Sequence, residues 1–304
     1  MNKNELIKFI KNTENMVSPK VVGNLFQRAE MLRKLPVRLQ KYIINKGASK
    51  SPYISFIVEP YSLFLAYEIT NIEAANRHLP QEYELIPCSI FDDRPLRFCA
   101  IIGAFNVHTS VFWGNRIELY IIAKNKNTGM MSWIICDYES NTISYDPGQG
   151  FLGPSTKRSI ITTSYAGELI VDVMDENAAN KIALVANIKA GKPCSLLQRL
   201  WVEGNLSVDY GGDLEDEDSE PFGLIFDPKE MEIALNIPLD FVNIEHNTFG
   251  YDMLGKAPFE VCCFPFAQHF LTTSVPIHSP IKNEKDLESA IKNFNDDISN
   301  NVER

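Results

Sequence analysis

Long apolar runs are missing from this sequence. A helix that crosses a bilayer needs about 20 consecutive apolar residues, and no segment approaches that length. The first residues, MNKNELIKFIKNTEN, are polar and charged, without the apolar core and small-residue cleavage site of a signal peptide. These absences argue against a helical membrane protein, and we expect a cytoplasmic one.

Motifs for metals and organic cofactors are missing or out of context. The six cysteines contain no CxxC pair, and the histidines form no HxH or HExxH motif. The glycines at 148, 150 and 153 fit a GxGxxG spacing, but Pro154 and the strand-rich flanks do not suit the strand-to-helix turn of a dinucleotide site. We therefore expect no metal and no cofactor. The cysteines are predicted to be small core residues.

A basic surplus is also absent, since the formal net charge is −10. This argues against a nucleic-acid partner. The charge is uneven, because residues 1–50 carry eleven Lys or Arg and three Glu. Such a basic arm could dock on the acidic body, contact another subunit or lie on an anionic membrane. We favour docking within the protein or between subunits of a homo-oligomer, and disfavour a membrane role.

Apolar spacing divides the chain into a helical and a β-rich part. Residues 1–50 show helical spacing in three stretches. From residue 51, β-branched and aromatic runs predict strands, among them 116–125 and 129–138, which the turn KNTG joins as a hairpin. Strands are also predicted at 198–209 and 223–227, and a final helix at 284–294. The stretch 213–220 holds six acids in eight residues and predicts a mobile, exposed loop.

Three segments in sequence order carry a resemblance to a known family. They are 67-YEITNIEAANRHLPQEYEL-85, 118-ELYIIAKNKNTGMMSWIICD-137 and 148-GQGFLGPSTKR-158. The first resembles the opening strand, short helix and acidic turn of the acetoacetate decarboxylase superfamily. The second resembles that family's glutamate-bearing strand and the strand after it. The third falls where the family has Gly-Arg-Glu and then Pro-Lys-Lys.

The resemblance implies both a fold and an activity. The fold would be a β-rich α+β domain over residues 51–304, with a curved antiparallel sheet or barrel around an apolar cavity. Residues 1–50 would be a basic helical N-terminal extension. The activity would be that of an enzyme acting on a small keto acid through a lysine Schiff base, as a decarboxylase or related lyase. The iminium itself accepts the electrons that carbon dioxide leaves behind, so no cofactor would be needed.

Four residues are candidates for the site, and three of them, Lys157, Arg158 and Glu118, fall in segments that resemble the family's functional motifs. Lys157 would be the imine-forming amine or its cationic helper, with Arg158 as the adjacent positive charge and a substrate-binding residue. Such a charge and a dry pocket both lower the pKa of an amine, whose ordinary value is about 10.4. Glu118 would handle protons. Arg116 lies two residues earlier, on the same face of a strand, and is predicted to hold the carboxylate of a small-molecule substrate.

Departures from the family's pattern favour an alternative function. Gln149 and Gly150 stand where the family has Arg-Glu. Without a gap from Gly148, Thr156 takes the Schiff-base position. The alternative is a non-catalytic small-molecule-binding protein on the same fold, in which Lys157 would be a solvated loop residue. An interaction protein that uses its basic arm is a third possibility.

Overall fold

The computed structural model describes residues 1–48, 53–146, 148–215, 221–250, 252–273 and 281–302. Within these ranges the α-helices are α1 Lys3–Met16, α2 Pro19–Leu32, α3 Val37–Ala48, α4 Ile72–Asn76 and α5 Glu284–Val302. The strands are β1 Tyr53–Val58, β2 Ser62–Ile69, β3 Tyr83–Leu85, β4 Pro87–Cys88, β5 Arg97–Thr109, β6 Trp113–Asn125, β7 Met131–Ser140, β8 Ser144–Asp146, β9 Gly150–Leu152, β10 Thr156–Thr163, β11 Glu168–Asp175, β12 Lys181–Asn187, β13 Lys192–Ser195, β14 Val208–Tyr210, β15 Ile233–Asn236, β16 Val242–Asn247, β17 Leu254–Phe264 and β18 Gln268–Thr273.

A twelve-stranded sheet forms the centre of the molecule. Its main path runs β13-β15-β17-β2-β5-β6-β7-β14, and β1, β18, β3 and β4 pair outside this path. The pairs are antiparallel except for β14 with β7, which is parallel. Over the described ranges β13 and β14 end this path without pairing with each other, so the sheet is open and not the closed barrel that the family resemblance allowed. The mixed α and β composition and the N-terminal helices agree with the expectation.

The predicted hairpin is present as β6 and β7, whose turn follows from its polar residues. The Asn125 side chain accepts hydrogen bonds from the backbone N–H groups of Asn127 (2.9 Å) and Thr128 (3.1 Å). Gly129 completes the turn with a φ of +76°, a left-handed conformation that glycine adopts without strain.

The large sheet buries apolar side chains on both faces. Along β2, Phe64 and Ala66 belong to one core cluster, and Leu63 and Leu65 belong to the other. This alternation is the period-2 pattern of a strand. The cluster of Leu63 and Leu65 also takes in residues of β10, β11 and β12, so the four-stranded sheet β10-β11-β12-β16 packs against that face. We call this the sheet-packed face, and the opposite one the cavity face.

The N-terminal helices pack on the body of the protein. Phe9 and Thr13 of α1 are fully buried, and α1 contacts α5, β1 and β18. The α3 helix is tied to β9, because the Gln40 side chain accepts from the N–H of Phe151 at 2.9 Å. Gln40 also occupies the space that a side chain at Gly150 would need. Helices α1 and α3 thus pack against the body of the same chain.

Two predicted strands and part of the acidic stretch differ from expectation. Residues 198–209 form a π-helical turn at Arg199–Glu203 and a 3-10 turn at Gly204–Leu206 before β14. Their continuous apolar run is buried in these turns, a case in which periodicity does not separate strand from helix. Residues 223–227 make only an isolated bridge at Ile225. Of the acidic stretch, residues 216–220 lie outside the described residues, and Leu214 is buried.

Other predictions concern residue classes. Five of the six cysteines are buried and all are free, which confirms the core interpretation for those five. Within the described ranges, no three His, Cys, Asp or Glu side chains converge as a metal site requires. No described helix combines the length and the apolar character that a membrane crossing needs.

Candidate ligand cavity

A cavity of about 300 Å³ lies on the cavity face of the large sheet. Most of its walls are apolar, with a minority of polar side chains. The lining residues used below are Ile44, Ile54, Phe64, Arg116, Glu118, Tyr120, Trp133, Ile135, Trp201 and Tyr210. They come from α3, β1, β2, β6, β7, the π-helical turn and β14. A volume of this size suits a small organic molecule.

A buried polar cluster on β6 interrupts these apolar walls. Arg116, Glu118 and Tyr120 are spaced by two residues, and all three line the cavity. The Nε of Arg116 donates to one oxygen of Glu118, and the hydroxyl of Tyr120 donates to the other. Both oxygens of Glu118 therefore have partners within the protein. The arginine and the glutamate are each less than 10% exposed, so their charges neutralise one another away from bulk water.

A β-bulge in β7 brings an aromatic ring to this cluster. Leu119 of β6 pairs with Asp137, but the next residue of β6, Tyr120, pairs with Ile135. Cys136 is therefore the extra residue of the bulge. The bulge shifts the alternation of side chains along β7 by one residue. As a result, Ile135 before the bulge and Tyr138 after it both lie on the cavity face. Asp137 turns to the sheet-packed face, where Asn180 donates to it at 3.0 Å.

Arg116 is held from several directions. Its guanidinium carbon lies 3.9 Å from the centre of the Tyr138 ring, a cation–π contact. Its Nη1 donates to the hydroxyl of Ser144 at 3.2 Å. The Tyr138 hydroxyl in turn donates to Asp146 at 3.3 Å. These contacts fix the plane of the guanidinium and leave its other N–H groups as the donors that a ligand could use.

Burial and charge act in opposite directions on the groups of this cluster. Burial works to lower the pKa of Arg116, but the Coulombic effects of Glu118 and of nearby tyrosines outweigh it, and the pKa is raised. Burial and then the negative charge of Glu118 raise the pKa of Tyr120 well above its usual range. Burial also raises the pKa of Tyr210. At neutral pH the cluster therefore consists of one cation and neutral tyrosines around Glu118.

The absence of a side chain at Gly103 shapes the wall beside Glu118. Gly103 on β5 pairs with Glu118 on one side and with Phe64 on the other. A Cβ at this position would come within 2.9 Å of the Phe64 ring and 3.3 Å of the Tyr120 ring. Glycine therefore leaves room for both aromatic rings beside the ion pair.

Lys157 and Arg158 lie away from this cavity. Both are exposed on β10, a strand of the sheet that covers the opposite face of the large sheet. Arg158 forms an ion pair with Asp172 at 2.8 Å. The structure thus brings together Arg116 and Glu118 among the residues chosen from sequence, and separates them from Lys157 and Arg158. Among the described residues, no lysine lines the cavity.

Several residues in the cavity wall or in contact with its polar cluster were not anticipated from sequence. Tyr120 continues the i, i+2 series of Arg116 and Glu118, so strand periodicity could have identified it. Tyr138 could not be found in this way, because the bulge shifts the pattern by one residue. Trp201 lies in a segment that was predicted to be a strand.

His269 is a second buried titratable group, outside the cavity. Its Nδ1 lies 3.0 Å from Glu230 and its Nε2 lies 3.3 Å from Glu14 of α1. Burial works to lower the pKa of His269, but the hydrogen bonds and charges of these two carboxylates outweigh it and raise the pKa. It is a partnered core histidine, as predicted, and it ties α1 to β18.

Comparisons with known proteins add one structural likeness. No family model matches the chain, and no curated protein matches it. Among solved structures, the chain is similar to the crystal structure of acetoacetate decarboxylase from Legionella pneumophila subsp. pneumophila str. Philadelphia 1. The identity is 12%, the TM-score is 0.47, and the match covers 73% of this chain and 85% of that one. Likeness at this level assigns neither an activity nor a substrate.

Proposed function

We propose that the protein binds a small, mostly apolar molecule with one neutral, oxygen-bearing group. The apolar walls would enclose the body of this ligand, and the free N–H groups of Arg116 would donate to its oxygen. The observation that carries this proposal is the Arg116–Glu118 ion pair in the wall of an otherwise apolar cavity. A carbonyl or hydroxyl compound matches both parts of the cavity.

Charge favours a neutral ligand over the carboxylate expected from sequence. Glu118 already neutralises Arg116, and both its oxygens accept hydrogen bonds. A ligand carboxylate would add a second buried negative charge, and among the described residues that line the cavity Arg116 is the only cation. Burying an ion without a partner costs several kcal/mol. A neutral acceptor avoids this cost and still satisfies the guanidinium.

The enzymatic alternative remains a separate prediction. A Schiff base on a keto acid needs an amine that reaches the bound carbonyl carbon. Lys157 is exposed on β10, on the far side of the large sheet. Binding without imine formation therefore agrees better with the positions of the described residues.

Calorimetry with matched ligands tests the proposal. 2-Octanone, 1-octanol and octanoate share one chain length and differ in the polar group. We expect the ketone and the alcohol to bind more tightly than the carboxylate at neutral pH. Tighter binding of octanoate would contradict the neutral-ligand proposal, and no binding of any of the three would contradict the use of this cavity.

Two further measurements separate the cavity from the lysine. Ile54→Trp places an indole in the cavity and should abolish binding, whereas Ile160→Trp, at an exposed position on β10, is the matched control. Borohydride treatment with a panel of keto acids, followed by peptide mapping, tests the imine. A mass adduct on Lys157 that is absent in Lys157→Ala would support the enzyme instead.

A further inference from the structure

The α3 helix has two dissimilar sides. On its inner side, Gln40 is buried against β9, and Ile44 lines the cavity. On its outer side, Leu39, Tyr42 and Ile43 are exposed to 43%, 63% and 36%. Positions 39, 42 and 43 have the i, i+3, i+4 spacing that places side chains on one helix face. The helix that forms part of the cavity wall therefore carries an exposed apolar stripe, Leu39, Tyr42 and Ile43, on its outer side.

Basic residues flank this stripe along α3. Arg38, Tyr42 and Lys46 are four residues apart and form one row along α3, beside Leu39 and Ile43. Residues 17–48, which include α2 and α3, hold seven Lys or Arg and one Glu, although the whole chain has a net charge of −10. A helix with apolar side chains next to basic ones is typical of a segment that lies in a bilayer interface.

We propose that the outer face of α3 docks on an anionic lipid bilayer surface. The apolar stripe would enter the boundary between headgroups and acyl chains, and the basic side chains would contact the anionic headgroups. Each basic residue near such a surface contributes about 1 kcal/mol of attraction, which salt screens. This choice revises the sequence-based preference against a membrane role, because the exposed stripe was not visible from sequence.

The position of α3 links this surface to the cavity. The same helix carries Ile44 on the cavity wall and the exposed stripe on its other side. An apolar ligand partitions into lipid, so docking would bring the cavity wall next to its source. This link depends on the proposed function, whereas the docking itself does not.

Vesicle sedimentation of the full-length protein tests the docking. We expect the protein to pellet with phosphatidylcholine vesicles that contain phosphatidylserine, to remain in solution with phosphatidylcholine alone, and to be released by high salt. The double variant Tyr42→Ser with Ile43→Ser should reduce the partition coefficient by about tenfold or more, because two apolar side chains no longer enter the interface. Arg38→Gln should produce a smaller loss that disappears at high salt.

A control pair and the oligomeric state complete the test. Leu96→Ser with Phe98→Ser removes two exposed apolar side chains of similar exposure elsewhere and should leave partition unchanged. Failure of the wild type to pellet, or equal pelleting of the α3 double variant, would overturn the proposal. A wild-type dimer that the α3 variant converts to monomer would show that a second copy covers this face. Ligand binding is measured without vesicles, so the two proposals fail separately.

Discussion

Arg116 and Glu118 neutralise each other in the cavity wall, so the loss of either one changes both charge and shape. Arg116 remains a cation because its pKa is raised. A glutamine at position 118 would keep the shape of the side chain but remove the carboxylate that forms the ion pair with this cation. The net charge of the Arg116–Glu118 pair in the cavity wall can thus be changed by a substitution at position 118 alone.

Glu118→Gln should therefore reverse the ligand preference. Breaking a buried ion pair costs about 3–5 kcal/mol, so we expect a marked loss in the free energy of unfolding, measured by urea denaturation. Octanoate should then bind more tightly than 2-octanone, because its carboxylate takes the place of Glu118. Calorimetry with both ligands measures the change.

A double variant checks this interpretation. Arg116→Met with Glu118→Gln removes both charges and should recover part of the lost stability, since apolar replacements of buried pairs are often tolerated. It should prefer 2-octanone again, because Arg116 no longer pairs with the carboxylate of octanoate. If Glu118→Gln alone still prefers the ketone, the neutral pair does not determine selectivity.

At the scale of elements, α1 is attached through a titratable contact. His269 on β18 lies between Glu230 and Glu14 of α1. Its raised pKa means that the folded protein holds this proton more tightly than the unfolded chain does. The resulting stabilisation is complete below the ordinary pKa of 6.5 and is lost as the pH rises through the raised value.

His269→Gln should therefore weaken the dependence of the unfolding free energy on pH. We expect the wild type to exceed the variant in unfolding free energy by more at about pH 5.5 than at about pH 8.5. Burial also raises the pKa of Glu230, and this carboxyl group is present in both the wild type and the variant. Urea titrations at both pH values measure the difference. A gap that is constant with pH would show that the imidazole contributes only packing.

Sequence reasoning succeeded where one element follows its own periodicity. The β6–β7 hairpin and the common face of Arg116 and Glu118 follow from alternation and from a turn rich in short polar residues. The role of Tyr138 could not be predicted, because the bulge at Cys136 moves the alternation by one residue. The position of Lys157 depends on which sheet its strand joins, and this is decided by packing between distant segments.

At the scale of the whole molecule, the twelve-stranded sheet separates two apolar cores with different roles. The sheet-packed core joins two sheets through tight apolar contacts. The core on the cavity face contains the proposed ligand site. Neighbouring residues of a single strand therefore contribute either to stability alone or to stability together with binding.

Leu65→Ala and Phe64→Leu should distinguish the contribution to stability from the contribution to ligand binding. Leu65 is fully buried on the sheet-packed face, and its truncation should lower the unfolding free energy by about 2–5 kcal/mol while the affinity of the folded protein for 2-octanone stays unchanged. Phe64 lines the cavity, so Phe64→Leu enlarges it and should shift preference toward longer ketones. Denaturation and calorimetry measure both effects. A change of chain-length preference in Leu65→Ala would contradict the separation.

The aromatic walls of the cavity have an optical consequence. Of the three tryptophans in the chain, Trp133 and Trp201 line the cavity, with their ring centres 5.3 Å apart. The third, Trp113, is 42% exposed and stacks on His108. A ligand that displaces water from the cavity would shift the emission of the first two to shorter wavelength, while Trp113 would keep the emission of a partly hydrated indole. The intrinsic fluorescence of the unlabelled protein thus reports occupancy of the cavity.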